Sequence, residues 1–180
     1  MYVWIACDLS DSLGKIREEC MILNKDTGAS EVAFSLPQHI SLKISFMVDD
    51  NVLDCVLRDL NEYLSAKESF SLKGPKAELS GNIIWLRFSD SEHLSKIHSE
   101  LDDLLLERYG VPLHKFDKCF AFHSTLFIDD DEEKLLYLYR QIRKIHIPGD
   151  VKIDRFIVGI SDSGKAGEYR VLDVIPAKSK

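Results

Sequence analysis

The chain has 180 residues, of which 45% are hydrophobic and 29% are charged. This length is enough to bury one sizeable apolar core, and the composition is typical of a globular protein. The formal net charge of −7 argues against a broad basic surface for duplex nucleic acid, although a few local cations can still hold a small anion.

The first half of the chain alternates predicted strands and helices. The predicted elements are a strand at 2–8 (YVWIACD), a helix at 11–24, a strand at 39–48 and a helix at 50–66. A strand pair follows at 70–78 and 82–89, because Ser80-Gly81-Asn82 between the two runs is typical turn chemistry.

The second half repeats this alternation. We predict a helix at 91–108, with Ser91 as its N-cap and a stripe of apolar residues at helical spacing. The remaining elements are a strand at 118–128, a helix at 130–145 and strands at 151–161 and 168–175. Four helices and seven strands predict an α+β fold.

A weak internal repeat connects the two halves. "HISLKISFMVDD" begins at His39 and "HSTLFIDDDEE" begins at His123. Each segment has a histidine, any residue, a serine or threonine, a leucine, further apolar residues and an acidic turn before an amphipathic helix and a strand pair. This order predicts two pseudo-symmetric lobes of antiparallel sheet, with outer helices, around a central cleft.

The repeated motif carries side chains that suit phosphate chemistry. Residues i and i+2 of a strand share a face, so His39 projects with Ser41, and His123 projects with Thr125. Two imidazoles can serve as a general base and a general acid near neutral pH, and two hydroxyls can donate hydrogen bonds to phosphate oxygens. Ser124 points the opposite way, and we expect it to be dispensable for the chemistry.

The segments "HISL" and "HSTL" resemble the two H-x-[ST]-hydrophobic motifs of the two-histidine (2H) phosphoesterase superfamily. This superfamily includes the bacterial RNA 2′,3′-cyclic phosphodiesterases, also called 2′-5′ RNA ligases. The resemblance covers almost the whole chain and implies one bilobal domain over residues 1–180. It further implies that His39 and His123 are catalytic and that Ser41 and Thr125 bind the phosphate of the substrate.

The sequence departs from the family pattern at two places. The first motif has Ser41 where threonine is common. "FDKCFAF" precedes the second motif, where many members have an arginine and a proline. Lys118 is a candidate for the place of that arginine, although an ammonium lacks the two-pronged geometry of a guanidinium. These departures affect the choice of substrate more than the class of reaction.

From the resemblance we expect a metal-independent phosphodiesterase. It would hydrolyse a nucleoside or RNA 2′,3′-cyclic phosphate, or a 2′-5′ linkage. Two alternatives stay open: a module that binds small nucleotides without converting them, and a hydrolase of cyclic oligonucleotide or 2′-5′-oligoadenylate signals. The pseudo-symmetry allows either histidine to be the base and the other to be the acid.

Three further residues are candidates for substrate contacts. Lys43 lies on the motif face by strand parity, with solvent or edge placement as the alternative. Lys118 precedes the second motif, with a solvated loop as the alternative. Tyr169 lies in the last strand pair, where it either lines the cleft or packs in the core.

The remaining expectations concern partners and surroundings. We expect no cofactor and no metal, and the partner to be a small nucleotide or an RNA terminus with a cyclic phosphate. No apolar run reaches 18 residues, and the N-terminal segment does not resemble a secretory leader, so we expect a cytoplasmic monomer without a membrane span. The four cysteines are far apart and are expected to be free thiols.

Overall fold

The architecture was obtained as a computed structural model, which describes residues 1–89 and 91–179. The helices of this part of the chain are α1 (Ser10–Thr27), α2 (Asp50–Ser65), α3 (Glu92–Tyr109) and α4 (Glu132–Ile142). Its strands are β1 (Tyr2–Asp8), β2 (His39–Met47), β3 (Phe70–Lys73), β4 (Lys76–Ser80), β5 (Ile83–Arg87), β6 (His123–Ile128), β7 (Asp150–Ile153), β8 (Arg155–Ser161) and β9 (Arg170–Pro176).

The strands form antiparallel sheets. A four-stranded sheet has the order β2-β1-β8-β9, a three-stranded sheet has the order β4-β5-β6, and β3 pairs with β7. One motif strand therefore lies at an edge of each larger sheet. The predicted α+β class with two sheet-based lobes is confirmed.

Three predicted strands were wrong in extent. The run 70–78 breaks into β3 and β4, because Gly74 adopts a left-handed conformation (φ 44°) ahead of a proline. The run 151–161 breaks into β7 and β8, because these strands pair in different sheets. The run 118–128 forms a strand only from His123, since Asp117–Cys119 forms a 3-10 turn.

The helix ends follow the expected capping chemistry. The Ser91 hydroxyl accepts a hydrogen bond from the Leu94 backbone N–H at 3.4 Å, which confirms the predicted N-cap of α3. The Asp131 side chain accepts from the backbone N–H groups of Glu133 and Lys134. The acidic run before α4 therefore caps the N-terminus of that helix.

The two faces of the four-stranded sheet are used differently. In β1, Val3, Ile5 and Cys7 are buried in the main core, which the helices share. Trp4 and Ala6 point to the opposite face, where a smaller apolar cluster forms. One face of this sheet therefore supports the fold, and the other is available for a site. None of the described helices has both the length and the hydropathy that a membrane span requires.

Candidate active site

The two motif strands, β2 and β6, are held against each other although they belong to different sheets. Gln38 is buried just before His39, and its Nε2 donates to the Ser124 hydroxyl at 2.5 Å and to the Thr125 carbonyl oxygen at 2.9 Å. These hydrogen bonds join the beginning of the first motif to the middle of the second. The structure therefore brings the four motif side chains into one region.

The burial pattern confirms the predicted orientation of the motifs. His39 and Ser41 are half-buried while Ile40 between them is fully buried, and β6 shows the same alternation. Ser124 is fully buried on the core side, where it accepts the hydrogen bond from Gln38. Ser124 therefore lies away from the motif face and helps to join the two lobes.

Both motif histidines make the same backbone contact. The Nδ1 atom of His39 lies 2.7 Å from the carbonyl oxygen of Pro37, and Nδ1 of His123 lies 2.7 Å from that of Ala121. A carbonyl oxygen only accepts, so Nδ1 carries the hydrogen in each ring. Each neutral ring then has an unprotonated Nε2, which is the nitrogen that can take or return a proton.

A bulge follows the hydroxyl residue of each motif. In β2, Ala6 pairs with Ser41 but Ile5 pairs with Lys43, so Leu42 is the extra residue. In β6, Trp85 pairs with Thr125 but Ile84 pairs with Phe127, so Leu126 is the extra residue. A bulge shifts the facing of the residues that follow it, so each motif face ends at the hydroxyl.

The bulge explains why the prediction for Lys43 was wrong. Strand parity placed this lysine beside Ser41, but the extra residue turns it to the core side, where only 2% of the side chain is exposed. Its Nζ lies 2.6 Å from the Asp102 carboxylate and also donates to the Asp117 carboxylate. Lys43 is therefore a structural ion-pair residue and does not contact the site.

The same buried cluster could be mistaken for a metal site. Ligand atoms of His98, Asp102 and Asp117 lie within 4.8 Å of one another. The Lys43 ammonium, however, already pairs with both carboxylates, so a positive charge occupies the position that a cation would take. The cluster instead attaches the segment before the second motif to β2 and α3.

Two tryptophans pack against the motif histidines, and sequence reasoning did not identify either. The Trp4 ring lies edge-on to the His39 ring at 4.5 Å between centroids, and the Trp85 ring lies 4.4 Å from that of His123. Trp4 Nε1 also donates to the Ser41 hydroxyl at 3.1 Å. Since that hydroxyl oxygen already accepts a bond, its own hydrogen is free to be donated to a phosphate.

Trp4 fits because the neighbouring strand has a glycine. A Cβ on Gly159 would lie 2.7 Å from Cε3 of the Trp4 indole. The indole therefore lies directly over β8, and a side chain at position 159 would displace it. Tryptophan opposite glycine in adjacent strands is the sequence signal that could have suggested this packing.

The environment of the two rings favours their neutral forms. The pKa of His39 is lowered to about 4, chiefly by burial; the hydrogen bond to Pro37 opposes this shift, and the nearby charge of His123 adds to it. Burial also lowers the pKa of His123, with a further contribution from the Arg87 guanidinium. At neutral pH the free protein therefore has two imidazoles that can act as bases. One of them must gain a proton before it can act as an acid.

The two other predicted contacts lie in different surroundings. Tyr169 is half-buried against the apolar cluster of Trp4, Ala6 and Ile157, on the motif side of the sheet. Lys118 is exposed in the 3-10 turn that Asp117 begins. The use of either residue by a substrate stays a prediction.

Known proteins share the fold of this chain. No protein-family model matches the chain. A curated protein of Geobacillus sp. (strain WCH70), whose name assigns it to the phosphoesterases, is 24% identical over 124 residues, which are 67% of this chain and 68% of that protein. E. coli LigT, solved with 3′-AMP, superposes with a TM-score of 0.63 at 17% identity, covering 98% of this chain and 97% of LigT. The chain has the fold of LigT.

A second solved structure has the same fold. The protein TT0787 of Thermus thermophilus superposes with a TM-score of 0.62 at 16% identity, over 98% of this chain and 97% of that protein. The superpositions span both lobes, as the resemblance of the two motifs to the two-histidine phosphoesterases implied. The fold that the resemblance implied is thus confirmed.

Proposed function

We propose that this protein is a metal-independent phosphodiesterase that hydrolyses cyclic phosphodiesters, in particular nucleoside or RNA 2′,3′-cyclic phosphates. The observation that carries the proposal is the matched pair of motifs, each with an imidazole whose Nδ1 is fixed by a backbone carbonyl and a hydroxyl on the same strand face. The phosphoesterase fold and the name of the Geobacillus relative support an enzyme that acts on phosphodiester bonds.

In the proposed reaction, one imidazole removes a proton from water as the water oxygen attacks phosphorus. One ring P–O bond breaks, and the protonated second imidazole gives its proton to the departing alkoxide. Ser41 and Thr125 donate hydrogen bonds to the non-bridging oxygens, where negative charge increases in the transition state. The product is a phosphate monoester with one free hydroxyl. The reverse order of steps corresponds to ring closure or ligation.

Small nucleotides are the substrate class we favour. LigT has been solved with 3′-AMP, and a related LigT structure contains ATP. The acidic net charge of this chain also fits a small anionic substrate better than a long duplex.

Turnover of nucleoside 2′,3′-cyclic phosphates in the presence of EDTA tests the proposal. We expect wild-type activity, and a loss of at least about 100-fold in His39→Ala and in His123→Ala, since each positioned proton transfer contributes on the order of 10²–10⁴. His146→Ala, which changes a histidine after α4, is the matched control. Binding without conversion would favour a nucleotide-binding module, and activity that survives both substitutions would refute the roles of these histidines.

A further inference from the structure

A row of three side chains crosses the motif face of the three-stranded sheet. Arg87 of β5 pairs in register with His123 of β6 on one side and with Lys76 of β4 on the other. Directly paired residues of antiparallel strands point to the same face of the sheet. Two cationic side chains therefore extend outward from His123, one strand and two strands away, at about 4.8 Å per strand.

The two cations of this row, Lys76 and Arg87, can bind an anion because no described carboxylate neutralises them. Lys76 and Arg87 are both exposed, and no carboxylate among residues 1–89 and 91–179 forms an ion pair with either. Glu78 is on the same face in the next row, where its carboxylate accepts a hydrogen bond from Trp85 Nε1 at 3.4 Å. The effect of the Arg87 charge on the pKa of His123 indicates that the guanidinium lies close to the ring.

The equivalent row of the other lobe, which contains His39, differs in charge. There the residue paired with His39 is an acid, Asp8. The adjacent cation, Arg155, is neutralised by Asp8 at 3.5 Å and by Asp11 at 2.5 Å. The two paired rows therefore differ in charge: among the described residues, the row beside His123 has two cations without an ion pair, whereas the row beside His39 has Asp8 and a neutralised Arg155.

We propose that Arg87 and Lys76 bind a second phosphate of the substrate, next to the scissile phosphate on the His123 side. This inference rests on the proposed function, in which the motif histidines and hydroxyls hold the scissile phosphate. A guanidinium fork matches phosphate oxygens, and an ammonium adds a second charge at the neighbouring position. The substrate class is thereby narrowed to nucleotides or oligonucleotides that carry at least two phosphates.

Two substrates that differ by one phosphate test this inference. We would measure kcat/KM for adenosine 2′,3′-cyclic phosphate and for the same nucleotide with an added 5′-phosphate. The wild type should prefer the second by about tenfold, as expected for charge-assisted hydrogen bonds at an exposed site. In Arg87→Ala, and more fully in Arg87→Ala with Lys76→Ala, the ratio should fall to about one. Arg87→Lys should keep part of the preference for the 5′-phosphorylated substrate, because lysine retains the positive charge but lacks the two-pronged guanidinium.

Lys15→Ala is the matched control, since Lys15 is an exposed lysine on α1 and lies outside both sites. This control should keep the wild-type ratio, and higher salt should reduce the ratio in the wild type. A wild-type ratio of about one, with both substrates turned over, would overturn the second-phosphate site and leave the proposed function intact. Equal losses on both substrates in Arg87→Ala would also overturn it, since Arg87 would then act at the reacting centre. If neither substrate is converted, the proposed function fails, and the inference fails with it.

Discussion

Replacement of Trp4 by phenylalanine tests how the site orients its first hydroxyl. Phenylalanine keeps an aromatic ring beside His39 but removes the N–H that donates to Ser41 at 3.1 Å. Without that bond, the Ser41 hydroxyl can rotate and use its hydrogen elsewhere. We expect kcat for a nucleoside 2′,3′-cyclic phosphate to fall, with a smaller change in KM, because the hydroxyl is needed most when charge increases in the transition state.

The magnitude follows from the single hydrogen bond that is lost. A hydrogen bond of this kind contributes about 0.5–1.5 kcal/mol net. Since about 1.4 kcal/mol corresponds to a tenfold change in rate, the expected decrease in kcat is about two- to tenfold. Gly159→Ala offers an independent perturbation. Its added Cβ would lie 2.7 Å from the indole, so it should displace the ring and lower kcat although Trp4 is intact.

A double-mutant cycle with Ser41→Ala is the decisive assay. If Trp4 acts through Ser41, then Trp4→Phe should have little further effect on kcat once the hydroxyl has been removed. Trp85→Phe is the matched control, since the Trp85 N–H donates to Glu78 and makes no bond to Thr125. Effects of Trp4→Phe and Ser41→Ala that simply add would refute the reasoning and would indicate that the indole acts through the His39 ring instead.

Three further results are expected. Lys43→Ala leaves the buried carboxylates of Asp102 and Asp117 unpaired, so it should lower the free energy of unfolding, measured in urea, by about 3–5 kcal/mol. A higher KM with unchanged stability would contradict the structural role of Lys43. Ser124→Ala removes an acceptor from Gln38 and should cost about 1 kcal/mol of stability while kcat stays near wild type, in contrast to Thr125→Ala. Because the pKa values of both motif histidines are lowered, the imidazole that acts as the acid is protonated in the free protein only at acidic pH. We therefore expect kcat/KM to decline with rising pH, with a midpoint below 6.5. A rise of kcat/KM between pH 7 and 8 would exclude this role of the lowered pKa values.

The sequence was most informative where a pattern repeats. The alternation in HISL and HSTL predicted the motif faces correctly, because the strand period of two holds as far as the hydroxyl residue of each motif. The helix stripes and the Ser91 cap likewise predicted α3 to within one residue at each end. These features depend on neighbours in sequence, and local chemistry determines them.

Lys43 shows where such reasoning fails. Its orientation depends on an extra residue in β2 relative to β1, and that mismatch is visible only when the register of the pair is known. The contact of Gln38 with Ser124 spans 86 residues of sequence and has no local signal. Arg87 was missed for the same reason, since its place beside His123 follows from the register of β5 and β6.

The charges beside the two motifs differ, and this difference can set the orientation in which an asymmetric substrate binds. The motifs repeat closely, down to the hydrogen bond of each histidine with a carbonyl two residues earlier and the bulge after each hydroxyl. Such a frame alone would hold a cyclic phosphate equally well in two orientations. The neighbours of the histidines differ, with Asp8 paired to His39 and Arg87 paired to His123. Arg87 and Lys76 would attract a second phosphate beside His123, whereas the Asp8–Arg155 pair offers no free cation in the row beside His39. The charges beside the motifs would therefore select one orientation, and with it which imidazole faces the attacking water.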